Sequence, residues 1–315
     1  MSNQSNAPNP REEIPWLREL DSALLASGTL ASIREAVHFG PLNSVAVVSD
    51  YGGEHPGSDY VTYSFLFAAF EALHAWHDRI VQLKQEHFPD ERTIEYKKLG
   101  DRLRQEALPA WLSLAGRLPG SLVTVAIQKE IDYLFLPSEG DLKWVLEAEG
   151  FAGYSLPVAR KLIRILHFLC YFASHIFGAE QRVFWHTDRD SISGSGNDAL
   201  LSQLGMILSR IARLYFSDLP EHMGYSDGLN EPDRLFKDAL SLPDLTAGVL
   251  ADKFTHSREE SAHGKSRESI LRWIADEEKN LRHLIIRFDS HSPAPDGTRQ
   301  FVPKLLTLHC RAEFR

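Results

Sequence analysis

Two patterns of apolar and polar positions alternate along this chain. Short unbroken apolar runs are closed by turn residues, as expected of strands buried on both faces. Longer stretches repeat apolar residues every three or four positions, as expected of amphipathic helices. The clearest strand is Val45 to Asp50, where Val45, Ala46, Val47 and Val48 lead into Asp50 and the turn residues Gly52 and Gly53. Tyr60 to Phe67, rich in aromatic and β-branched residues, follows a tip dense in turn formers, so the two runs predict an antiparallel hairpin. Ahead of them, Ile14 to Val37 has helical spacing broken near Gly28. Behind them, Ala69 to His87 repeats Phe70, Leu73, Trp76, Ile80 and Leu83 until Pro89 stops the helix.

The remaining expectations run in the same way. Strands are predicted at Arg92 to Tyr96, Ser121 to Gln128, Arg182 to His186, Leu235 to Leu240, His283 to Phe288 and Phe301 to His309. Helices are predicted at Leu99 to Leu118, from Pro157 to Phe177, at Asp198 to Phe216, Pro243 to Phe254 and Ser269 to Asn280. A polar connection with a short helix spans Leu136 to Gly153, and loops span TDRDSISGSGND and Glu259 to Gly264. No internal repeat is visible. The order predicts an α/β mixed sheet flanked by helices, with three early antiparallel strands and later ones parallel through crossover helices. The organisation expected is a disordered leader (1–12), a helical cover (13–43), a main domain (44–256) with a helical insertion near 136–180, and a helix-and-strand extension (257–315).

Composition narrows the picture only a little. The 315 residues carry a formal charge of −9, which argues against non-specific coating of nucleic acid but leaves room for acids that hold metal. Cys170 and Cys310 form neither a disulfide framework nor a ligand spacing. The polar, Pro/Asn-rich start is no signal peptide. Leu162 to Phe177 is interrupted by Arg164, His167 and His175, and is too short and polar to span a bilayer. A cytoplasmic protein with no membrane partner is expected.

Candidate chemistry sits at the ends of the predicted strands. An acid where a core strand runs out needs hydrogen bonds, a cation or a metal, because burying it unpaired is costly. Asp50 is such an acid, although Asp before glycines is also an ordinary turn device. Glu95, Asp188 and Asp190 occupy comparable transitions, with a surface ion pair to Lys97 or Lys98 and an Asp-rich turn as the bland alternatives. Asp244 opens an otherwise small and apolar helix in LPDLTAGVL; there the alternative is simple placement against the helix dipole. His55, His74, His77 and His87 form no zinc pattern with cysteine. SGSGN at 193–197 lacks the ending of a phosphate loop, and no Gly-x-Ser-x-Gly elbow supports a serine hydrolase.

The strand ending VAVVSDYGG, the IEYK segment, the FWHTDRD segment and above all LPDLTAG together resemble the ribonuclease-H-like fold. Within it they resemble the bacterial family called domain of unknown function 3800, over roughly Ser44 to Lys253. The family usually has Asp-Glu-Ser-Gly at its first strand end, whereas here Tyr51 follows Asp50 and Glu54 comes after the glycines. The resemblance implies that Asp50, Glu95, Asp188 or Asp190, and Asp244 converge on two divalent metals, Mg²⁺ or Mn²⁺, whose hard character suits oxygen ligands. Such ions about 3.5 to 4 Å apart clamp the attacking and leaving oxygens of a phosphodiester. It implies a nuclease acting on RNA or DNA, sometimes found in bacterial defence or mobile-element systems, with Lys97, Lys98 and Lys129 as candidate phosphate contacts. A homo-oligomer or protein partner is compatible with this reading. The rival readings are a catalytically inactive nucleic-acid- or protein-binding subunit, with the long apolar helix, Trp144 and Trp185 serving an interface, and a phosphatase or nucleotide hydrolase using the same acids.

Overall fold

The structure, a computed structural model, describes residues 14–37, 44–88, 92–136, 138–148, 154–177, 181–188, 192, 198–216, 222–226, 234–255, 264–290 and 301–308. In chain order these form α1 (Pro15–Ala26), α2 (Thr29–Ala36), β1 (Ser44–Gly52), β2 (Tyr60–Ala69), α3 (Phe70–His87), a 3₁₀ turn (Tyr96–Lys98), α4 (Arg102–Gly116), β3 (Gly120–Gln128), α5 (Glu139–Ala148), α6 (Leu156–Ile176), β4 (Arg182–Thr187), α7 (Asp198–Tyr215), β5 (His222–Ser226), α8 (Arg234–Ala239), α9 (Ser241–Thr255), α10 (Gly264–Ala275), β6 (Leu281–Ser290) and β7 (Phe301–Leu306). None of these helices is long and apolar enough to cross a membrane.

Among the described residues, seven strands form one mixed sheet in the order β5-β4-β1-β2-β3-β6-β7. β1, β2 and β3 are successively antiparallel, β4 and β5 run parallel to β1, β6 runs parallel to β3, and β7 returns antiparallel to β6. The C-terminal ends of β1, β3, β4, β5 and β6 therefore share one edge.

The period-two alternation of β1 sorts its residues between two cores. Val45, Val47 and Tyr51 face the layer built from α1, α2, α5, α6 and α7. Ala46 and Val48 face the layer built from α3, α4, α8, α9 and α10. Asp50, two residues beyond Val48, thereby shares the α9 face.

Three expectations need correction. Arg92 to Tyr96 is not a strand: it runs extended into the 3₁₀ turn without a ladder partner, with the Arg104 side chain donating to the Thr93 carbonyl at 2.8 Å. The third antiparallel strand is β3. Leu235 to Leu240 is helical, because the spacing of Leu235, Phe236 and Ala239 lets all three enter the α-helical core beside α9. Trp185, named with Trp144 and the long helix for an interface, is fully buried and donates to the Ser49 hydroxyl at 2.9 Å, and most of α6 is core, whereas Trp144 is exposed. Residues His222–Ser226 form the edge strand β5.

Candidate functional site

Close approach of α9 to the hairpin is what builds the site. A Cβ on Gly52 would lie 2.7 Å from the Thr62 hydroxyl and 2.9 Å from the Ala247 carbonyl, so only a hydrogen atom fits between strand and helix. The Thr62 hydroxyl donates to the Ala247 carbonyl at 2.9 Å, tying β2 to the same turn of α9. One residue along the helix, a Cβ on Gly248 would lie 2.2 Å from Cδ1 of Tyr96. The small residues of LPDLTAG are thus explained by packing: Ala247 meets the hairpin and Gly248 meets the Tyr96 ring.

This packing delivers Asp244, in the first turn of α9, to the strand end that carries Asp50. The Asp244 carboxylate accepts from the Tyr96 amide at 2.6 Å, while the Tyr96 hydroxyl donates to Asp252 at 2.6 Å. One aromatic residue therefore pins the helix at two points and holds the preceding Glu95 beside Asp244. Asp50 accepts from the Tyr51 amide at 2.6 Å. Its β2 partner in register is Ser64, whose hydroxyl is 2.7 Å from that of Thr124 on β3. Asp188 follows β4 directly and extends the parallel ladder by donating its amide to the Ser49 carbonyl at 3.1 Å.

The electrostatics of these acids are mutual. Burial, then the charges of Asp244 and Asp188, push the Asp50 carboxyl well above the usual carboxylate range, against the Tyr51 amide and the Lys161 ammonium. Burial likewise pushes Asp244 up to about 7, assisted by Glu95 and Asp188 and opposed by the Tyr96 amide and Lys97. Both residues are half-buried. Acids in this state gain from any cation that settles between them. Glu95 behaves differently: desolvation would raise it, but hydrogen bonds from Lys98 and Thr93 outweigh that and hold it low. Its 2.8 Å bridge to Lys98 matches the surface-pair alternative.

The structure thus brings Asp50, Asp244, Asp188 and Glu95 into one electrostatic neighbourhood. Among the described residues, however, no three His, Cys, Asp or Glu side chains stand as a ready-made metal site. Asp190, the 193–197 loop and Cys310 lie outside the described residues. Lys129 donates to the His55 carbonyl at 2.6 Å and Lys97 is exposed. His77 serves Asp238 at 3.3 Å, and Cys170 is buried in α6 with its thiol pushed up by desolvation.

No protein-family model, curated protein or solved structure matches this chain.

Sequence reasoning missed Lys161 on α6. Its ammonium ion-pairs with Glu54 and lies 4.7 Å from the centre of the Tyr51 ring, close enough to act on Asp50. The Tyr51 hydroxyl is 2.9 Å from that of Ser49 and 2.8 Å from that of Thr187, so the ring is held in place. Lys161 sits inside an amphipathic helix pattern more than a hundred positions from Asp50, and no local spacing marks it.

Proposed function

We propose that this chain is a divalent-metal-dependent nuclease of the ribonuclease-H-like fold. The observation that carries the reading is the placing of Asp50 with Asp244, two half-buried acids from different elements, with Asp244 raising the proton affinity of Asp50 and with Asp188 and Glu95 beside them. Three leading antiparallel strands followed by parallel ones, the order that the sequence pattern predicts, also support it.

The donor set fits Mg²⁺ or Mn²⁺, because every candidate ligand is a hard carboxylate oxygen and the cluster gains from positive charge. Asp50 and Asp244 would hold the ion or ions, with Asp188 and Glu95 completing the set. Such ions supply Lewis acidity toward water and a leaving oxygen at neutral pH. The chain's own contribution is to fix the acids. Tyr96 orients Asp244 through its amide, the β1–β4 ladder sets Asp188 beside Asp50, and Lys97 offers positive charge at the rim. No side chain acts as a nucleophile in this reading.

The test is cleavage of labelled single- and double-stranded RNA and DNA with Mn²⁺ or Mg²⁺, comparing wild type with Asp50→Asn and Asp244→Asn. Cleavage by the wild type and its loss in both folded variants is the expected result. Absence of cleavage together with absence of a metal-dependent thermal shift would reject it in favour of a binding subunit.

A further inference from the structure

We propose that Lys161 is a substrate-phosphate contact of this site, exchanging its partner Glu54 for a phosphate oxygen as a nucleic acid strand enters. The inference rests on the nuclease reading above and names the group that receives the strand's charge.

The argument begins with α6. Three basic residues lie on its N-terminal half, and two serve the fold. Arg160 donates to the Asp132 carboxylate at 2.6 Å, and Arg164 donates to the Asp132 carbonyl at 2.7 Å and to the Ile131 carbonyl, so both clamp the segment after β3. Lys161 is aimed instead at the hairpin tip beyond β1, where it meets the Glu54 carboxylate.

The two halves of that ion pair differ in setting. The Lys161 side chain is only 9% exposed, whereas that of Glu54 is 52% exposed. A carboxylate that exposed loses little when its partner leaves, since water replaces the ammonium. The ammonium, with its stem enclosed and its head over the fixed Tyr51 ring, needs an anion wherever it turns. A phosphate oxygen is an equivalent anion, and lysine is a compact, movable point charge suited to the exchange. No bond is made or broken and no proton moves; one carboxylate is replaced by one phosphate.

The placement also answers an electrostatic need. Asp50 and Asp244 meet on the α9 face of β1, and a polyanion approaching them is repelled. Lys161 reaches the same strand end from the α6 face, next to Tyr51, and so offers positive charge across from Asp244. Among the other candidate lysines, Lys98 is engaged with Glu95 and Lys129 with the His55 carbonyl.

The experiment is fluorescence anisotropy with short labelled single-stranded and duplex oligonucleotides, in Ca²⁺ in place of Mg²⁺, across a salt series. Wild type is compared with Lys161→Met, Lys161→Arg and Glu54→Gln, each checked by thermal melting. Loss of one phosphate contact lowers the slope of log affinity against log salt by about 0.7 for single strands and about 0.9 for duplex. Lys161→Met shows that loss, Lys161→Arg keeps the slope, and Glu54→Gln tightens binding by up to about fivefold, the scale of one partly exposed ion pair. A folded Lys161→Met with the wild-type slope overturns the proposal. If Lys161→Met does not fold, the Glu54→Gln arm decides, and unchanged affinity there overturns it. Wild type that binds neither polymer and is not stabilised by Mn²⁺ overturns the nuclease reading as well, whereas binding with unaltered slopes overturns the role of Lys161 alone.

Discussion

Tyr96 reads the position of Asp244 directly: its backbone amide donates to the carboxylate at 2.6 Å, and its ring rests on Gly248, four residues further along the same helix. Gly248→Ala would set a methyl 2.2 Å from the ring's Cδ1, near the ring's root where the side chain cannot swing away. We expect a loss of about 1–3 kcal/mol from overpacking, with cleavage falling because Asp244 and its hydrogen bond shift together. Tyr96→Ala removes the obstacle, so the double variant should be less destabilised than the sum of the singles. Urea denaturation of all four proteins measures that coupling, and strict additivity would show that ring and helix do not position one another.

A pH dependence follows from the raised acids. Asp244 is held near 7 and Asp50 above its ordinary value, by burial first and neighbouring carboxylates second. Unfolded, both ionise near the usual carboxylate value of about 4. Between those limits the folded chain binds more protons than the unfolded one, so this contribution to stability is full below about pH 4 and is lost as pH rises through about 7. The melting temperature of metal-free protein should fall across that window. Asp244→Asn cannot ionise and should melt higher than wild type at neutral pH, with a shallower slope. Saturating Mn²⁺ at neutral pH should stabilise wild type and not the variant. Equal slopes for the two proteins would remove Asp244 from the account.

A further acid of this layer is structural. Asp238 on α8 is 1% exposed, accepts from Lys84 Nζ at 2.7 Å and lies 3.3 Å from His77 Nε2, both from α3. Its carbonyl also accepts from the Ser241 hydroxyl at 2.6 Å, at the start of α9. Asp238→Ala leaves the enclosed Lys84 ammonium without its acid and should cost about 3–5 kcal/mol. Asp238→Ala combined with Lys84→Met removes both charges and should recover much of that loss. Chemical denaturation of the single and double variants checks the order, and a double variant weaker than the single would contradict it.

Much of this architecture could be read from the chain because its signals are local. The apolar run into Asp50, the turn-rich hairpin tip and the Pro157 helix start each depend on neighbouring residues, and each element forms where the pattern put it. Short amphipathic windows misled. Leu235 to Leu240 fits either period over so few residues, and the packing of Phe236 against Phe70 and Phe184 decides for helix. β5 has Gly224 at its centre and no β-branched residue, so its strand character comes from pairing with β4. At the site, the acids were legible because an acid at a strand end or helix start is conspicuous against apolar neighbours. Lys161 was not, since a lysine on an amphipathic helix looks solvent-facing until the fold encloses its stem. Nor does sequence show that Tyr96 holds Asp244 through its main chain, because an amide is common to nearly every residue.

The path of the chain has a consequence for synthesis. Asp50 and Glu95 emerge early, β4 and Asp188 later, and α9, which lies across β1 and β2 at Gly52 and Thr62, later still. Contacts this distant in sequence form slowly and late. A ribosome-bound or prematurely ended chain holds the first acid while its partner is unmade or undocked. The Asp50–Asp244 neighbourhood is therefore absent from fragments and is assembled only once the long arc from hairpin to helix has closed.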